Sequence, residues 1–245
     1  MKIEICVDNI ESVITANQLP IQRIELCSAL SLGGITPNYG FIKQAIKHSH
    51  LPIALMIRPR AGDFIFSPEE VAIMVEDIEM VRSFGIQHIV VGALTTSAEI
   101  DLNITKTLIQ TAQGMEITFH RAFDLCNNPF QALEQLIELG CHRLLTSGQA
   151  VTAEQGIPLL QKLVQQANNR IQIMAGCGIN ANNVKTLIEQ TQVPEIHFSA
   201  KGYRISPMLN NSQVAMGKNT EQDQRIDVLD RTQAEAILTK IKEMT

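Results

Sequence analysis

The chain has no tryptophan and only two tyrosines among its 245 residues, so the aromatic platforms on which sugars or single-stranded nucleic acid stack are scarce. A binding site must be built from polar groups instead. The net charge is −5 and Lys and Arg are not clustered, which argues against a nucleic-acid surface, because phosphate binding needs grouped cations. No run approaches the ~18–20 consecutive apolar residues of a membrane span. The first residues, MKIEICV, carry Glu4 inside a strand pattern and lack the apolar region of a signal peptide. A soluble cytoplasmic protein with no nucleic-acid or membrane partner is therefore expected. Five cysteines, Cys6, Cys27, Cys126, Cys141 and Cys177, are too few for a disulfide scaffold of this length and form no CxxC pair, so they read as reduced thiols.

What is present is a repeated pattern, clearest in MEITFHRAFD, residues 115–124. An alternating run places Glu116, Thr118 and His120 on one face and Ile117, Phe119 and Arg121 on the other. It then ends in polar residues and gives way to a helix pattern at Pro129. Seven other short strand patterns behave alike, at 2–7, 22–26, 53–57, 87–91, 142–146, 170–175 and 195–199. Helix patterns follow at 9–18, 39–47, 68–84, 101–113, 129–139, 152–168, 181–190 and 232–242. The third of these opens as a helix should, with Ser67 as cap, Pro68 at the first position and Glu69 and Glu70 in the first turn.

Strands and helices alternating eight times in a chain near the ~250 residues usual for a TIM barrel predict a (β/α)₈ barrel, one domain over residues 1–245. An open doubly wound sheet is the rival, but no GxGxxG follows the first strand. A stretch at about 203–230 shows no clean period and reads as a long loop before the last helix. In a barrel the active site lies at the C-terminal ends of the strands, which is where the polar loops of this chain fall.

Three constellations sit at those ends. Cys6 and Cys27 close neighbouring strands, and two thiolates side by side suit a soft cation such as Cu(I); equally, both are small residues of a core. Gly176 and Gly178 after the seventh strand, Ser199 and Lys201 after the eighth, and Ser147 and Gly148 after the sixth stand where barrels often hold phosphate on backbone N–H groups. Glycines that merely let strands turn into helices give the same pattern. A set of Glu25, Arg58, Arg60, Asp63, His120, Arg121, Asp124 and His197 could bind a small anion or move a proton, or serve as a structural ion-pair network. In an enzyme, His120, Arg58, Arg60, Glu25 and Asp63 would surround the reacting group, and the loops after the seventh and eighth strands would hold a phosphate.

Taken in order, ELCSALSLGGITPNYG, MIRPRAGDF, TFHRAFD, LLTSG, AGCGI, EIHFSAK and NNSQVAMG resemble the copper homeostasis protein CutC family along nearly the whole chain. The resemblance implies a TIM barrel in the cytoplasm, an association with copper handling, and Cu(I) held by Cys6 in EICVDN and Cys27 in ELCSAL. Cys177 in AGCGI and the stretch RISPMLNN depart from the more usual pattern of the family. The principal expectation is a copper-homeostasis protein that binds Cu(I) through two strand-end cysteines. The alternatives are an enzyme acting on a small anionic or phosphorylated metabolite and a carrier of such a ligand. Self-association through the outer helices of a barrel is a further expectation.

Overall fold

The structure, a computed structural model, describes residues 1–209, 214–217 and 219–244. Part of NNSQVAMG and of RISPMLNN, residues 210–213, lies outside the described residues. Eight parallel strands, β1 (Lys2–Val7), β2 (Arg23–Leu26), β3 (Ile53–Met56), β4 (His88–Val91), β5 (Glu116–Phe119), β6 (Arg143–Thr146), β7 (Gln172–Gly176) and β8 (Glu195–Phe198), close into a barrel in chain order. The last strand pairs with the first, Ile5 opposite Phe198. Helices α1 (Ile10–Ala16), α2 (Tyr39–His48), α3 (Pro68–Ser83), α4 (Leu102–Ala112), α5 (Pro129–Glu138), α6 (Ile157–Ala167) and α7 (Val184–Thr191) follow successive strands. This is the (β/α)₈ barrel that the alternation predicts. Among the described residues no helix is long and apolar enough to cross a membrane.

Period two sorts each strand between two environments. Ile5, Ile24, Leu55, Ile89, Phe119, Leu144, Ile173 and Ile196 are fully or almost fully buried in one apolar cluster with the inner faces of the helices. Each such side chain contributes roughly 1.5–3 kcal/mol on leaving water. The other face looks into the barrel, where a small apolar group of Cys27, Ala54, Met56 and Val90 shares the space with buried charges. Helix starts are fixed locally. Ser67 accepts from the Glu70 amide while the Glu70 carboxylate accepts from the Ser67 amide, the reciprocal capping box, with Pro68 at the first position of α3.

Three boundaries differ from the periodic reading. Helices α6 and α7 begin at Ile157 and Val184 rather than at 152 and 181, because the turns before them are closed by side chains: Asn183 accepts from the Asn180 amide and donates to the Gly178 carbonyl. The segment read as a loop at about 203–230 contains an antiparallel ribbon of β9 (Lys201–Ile205) and β10 (Arg225–Leu229) and a single turn, α8 (Thr220–Asp223). Most of the ribbon's side chains are exposed on both faces, so no apolar alternation marks it. It rests on the start of α1, where Asn9 donates to the Asp227 carbonyl and Ser12 accepts from the Leu229 amide. The chain then ends in α9 (Arg231–Lys242), packed beside α7.

Candidate functional site

The lower part of the barrel interior is a chain of ion pairs. Glu4 of β1 pairs with Arg23 of β2, whose guanidinium also reaches Glu195 of β8 at 2.6 Å. Glu195 also pairs with Arg143 of β6 at 2.9 Å, and Arg143 continues to Glu116 of β5, also at 2.9 Å. Glu4, Arg23, Arg143 and Glu195 are all buried. Buried charges survive only when paired and hydrogen-bonded, and here each has an opposite partner. The network carries one branch towards the mouth. His197 of β8 donates through Nδ1 to the free oxygen of Glu4 at 2.7 Å.

At the mouth, the sulfur of Cys6, a ring nitrogen of His197 and a carboxylate oxygen of Glu25 lie within 4.8 Å of one another, and all three residues are buried. Strand register makes this group. Cys6 stands opposite Glu25 across the β1–β2 pair, and Glu4 opposite His197 across β1–β8. With Nδ1 held by Glu4, the Nε2 atom of His197 faces Glu25, 3.9 Å from its Oε2, while Glu25 Oε1 has no partner among the described residues.

The surroundings set the charges. Burial alone would raise the Glu4 carboxyl, but the His197 hydrogen bond and Arg23 outweigh it and hold the group down at about 2. Burial pushes Glu25 up to about 7, with His197 pulling it down and Glu4 adding to the rise. For His197 burial opposes charging, yet Cys6, Glu25 and Glu4 together raise it well above its ordinary value. Burial pushes the Cys6 thiol up against the pull of His197, so a cation binding there must displace a proton.

Cys27 occupies a different place. It stands one inward position beyond Glu25 on the same face, outside the Cys6–Glu25–His197 group, with its thiol donating to the Val7 carbonyl at 3.6 Å. Burial pushes that thiol well above its ordinary range. Cys126 and Cys141 are buried in the main apolar cluster, and burial pushes both thiols up to about 12.

Two cavities open above these groups. One, of about 340 Å³, is walled by Glu25, Arg58, Phe64, His120 and Arg121 with Cys6 and His197 at its floor. The other, of about 430 Å³, lies between the ends of β7 and β8 and α9, and shares Cys6, Arg121 and His197 with the first. Gly178, Ser199 and Lys201 line the second, although Lys201 pairs with Asp227 of β10 at 2.7 Å. Arg58 points inward, whereas Arg60 and Asp63 of the same loop pair with each other at 3.0 Å, join Glu70 of α3, and stand outside both cavities. Asp124 accepts from Arg121, Thr146, the Ser147 amide and hydroxyl, and the Gln149 amide. It therefore clamps the turn after β5 to the turn after β6. Gly148 and Gly156 bring two backbones together, and a Cβ on Gly148 would lie 2.4 Å from the Gly156 carbonyl oxygen. Gly176 leaves room for Leu145 against the barrel wall.

A family model, the CutC family, matches residues 1–202. A CutC family protein of Glaesserella parasuis is 63% identical over 98% of this chain and 99% of its own length. One from Pasteurella multocida is 52% identical over 99% of each. The chain belongs to the CutC family. Among solved structures, a CutC protein of Streptococcus agalactiae named for copper homeostasis is 34% identical and superposes with a TM-score of 0.77, over 81% of this chain and 98% of that one. The CutC barrel of this chain thus carries both cysteines that the resemblance singles out, but surrounds Cys6 with His197 and Glu25 first. Sequence reading did not single out Arg23, Arg143 and Glu195. The available signal was their spacing, since Arg23 stands two residues before Glu25 and Glu195 two before His197, on the same strand faces.

Proposed function

We propose that the protein serves copper homeostasis in the cytoplasm by binding Cu(I) at the barrel mouth, with Cys6 and His197 as its donors. The observation that carries this reading is the convergence of a thiol, an imidazole nitrogen and a carboxylate oxygen within 4.8 Å. Thiolate sulfur and imidazole nitrogen suit copper, and a hard carboxylate suits Cu(I) least of the three. Support also comes from Glu4. A metal-binding histidine usually donates its second ring N–H to a carboxylate, and the Nδ1 bond of His197 to Glu4 is such an arrangement. It orients the ring and leaves Nε2 to take the ion once that atom's proton is displaced. Family membership supplies the association with copper, and reducing conditions in the cytoplasm keep such thiols free.

The test is anaerobic titration of Cu(I) against a calibrated chelator. Cys6→Ser abolishes tight stoichiometric binding, His197→Asn weakens it by an order of magnitude or more, and Cys27→Ser changes it least. Undiminished binding by Cys6→Ser would exclude the site.

A further inference from the structure

The 340 Å³ cavity holds a second set of groups that copper leaves without a role. Arg58 is 4% exposed, and a guanidinium carries five N–H donors and a permanent charge. Three of its donors go to the carbonyl oxygens of Leu32, Gly34 and Gly62, at 3.1, 3.0 and 2.8 Å. Its Nε–H has no partner, and no carboxylate lies within ion-pair distance of it among the described residues. The nearby acids are taken, Asp63 by Arg60 and Asp124 by Arg121. Every charge of the lower network has its opposite; Arg58 does not.

His120, also 4% exposed, stands beside it. Both touch the Phe64 ring, the guanidinium 4.7 Å from its centroid and the imidazole centroid 4.9 Å from it. His120 Nδ1 accepts from the Ala122 amide at 3.2 Å, so the neutral ring carries its proton on Nε2. That atom has no partner among the described residues either. Burial, with Arg58 adding to it, pushes the group down to about 3, so the ring is a neutral donor near pH 7. Gly92 sets its position, since a Cβ there would lie 2.3 Å from the ring. Across the cavity, Glu25 Oε1 is a buried acceptor without a donor among the described residues. Apolar walls of Leu30, Met56 and Leu145 complete the space.

We propose that this cavity binds a small hydroxymonocarboxylate, its carboxylate on Arg58 and His120, a hydroxyl on Glu25, and its carbon skeleton against the apolar wall. One uncompensated cation matches one negative charge, whereas a phosphate dianion would set its second charge near Glu25. A volume of about 340 Å³ is at the small end of ligand pockets, which run from roughly 300 to 1,000 Å³, and selects a molecule of a few carbons. A buried donor or acceptor left unpaired is costly, and such a ligand pairs all three groups.

The experiment is calorimetric titration of the reduced, chelator-treated protein with glycerate, threonate and gluconate, with glycerol, propionate and glycerol 3-phosphate as controls. Working on metal-free protein makes the outcome independent of whether copper binds. At least one of the three acids binds saturably, and tighter than every control. Arg58→Lys and His120→Phe each weaken it about tenfold or more. Because Arg58 also holds three carbonyls, His120→Phe decides if Arg58→Lys does not fold. Absence of binding by all three acids, tighter binding of glycerol 3-phosphate than of glycerate, or an affinity unchanged by His120→Phe overturns the proposal.

Discussion

Replacing Glu25 with glutamine stabilises the protein, and does so only above the pH at which an ordinary glutamate ionises. In the unfolded chain this carboxyl loses its proton at its ordinary value of 4.5, whereas in the fold burial holds the proton until about 7. Between those values the unfolded state sheds a proton that the folded state keeps, so stability falls as the pH rises and levels off above about 7. At 1.36 kcal/mol per pH unit, the interval from 4.5 to about 7 amounts to about 3 kcal/mol. Glutamine is neutral throughout and nearly the same shape, and Glu25 Oε1 has no bond to lose. Urea unfolding of metal-free wild type and Glu25→Gln should give equal stabilities near pH 4.5, a widening gap to pH 7, and a plateau of about 3 kcal/mol at pH 8. In a domain of this size that corresponds to roughly 2–4 °C of Tm for each kcal/mol. A variant no more stable than wild type at pH 8, or a gap that does not change with pH, would refute the reasoning about the mouth. The functional meaning is direct: this carboxyl is held where it costs stability, as expected of a group kept for a ligand.

Glu4 behaves in the opposite sense. Its carboxyl is held at about 2 against 4.5 in the unfolded chain, so its contribution is present above pH 4.5 and is lost as the pH falls towards 2. Glu4→Gln should cost about 3 kcal/mol at pH 7, within the range for breaking a buried ion pair, with the difference vanishing in acid unfolding curves. Gly92→Ala places a Cβ 2.3 Å from the His120 ring. It should cost roughly 1–3 kcal/mol of stability, the range for overpacking, and displace the ring, read out by urea unfolding and by a shifted His120 imidazole NMR signal; an unmoved signal would contradict the packing.

Much of this was legible in the sequence because period two survives folding. In MEITFHRAFD the inward set Glu116, Thr118 and His120 and the outward set Ile117 and Phe119 fall as the alternation requires. The helix starts at Ser67 and Pro129 are equally local. What the sequence hid depends on register and closure. Cys6 and Cys27 look like equivalent strand ends, but β1 pairs with β2 so that Cys6 faces Glu25, and one thiol is carried a step beyond the other. Arg58 and Arg60 look alike in RPRAGD, but the carbonyls of Gly34, in the loop after β2, and of Gly62 draw the first inward while Glu70 on α3 draws the second out. Arg23, Arg143 and Glu195 begin strands, where charge ordinarily means solvent; only a closed barrel makes that face an interior.

The central claim is that His197, not Cys27, completes the copper site with Cys6. The most direct measurement is copper K-edge X-ray absorption on the anaerobic protein loaded with one Cu(I), compared with the Cys27→Ser variant. The expected result is a first shell of one sulfur and one nitrogen scatterer, with the imidazole outer-shell pattern, unchanged in Cys27→Ser. A shell of two sulfurs that falls to one in Cys27→Ser would contradict the claim and assign the ion to the two cysteines.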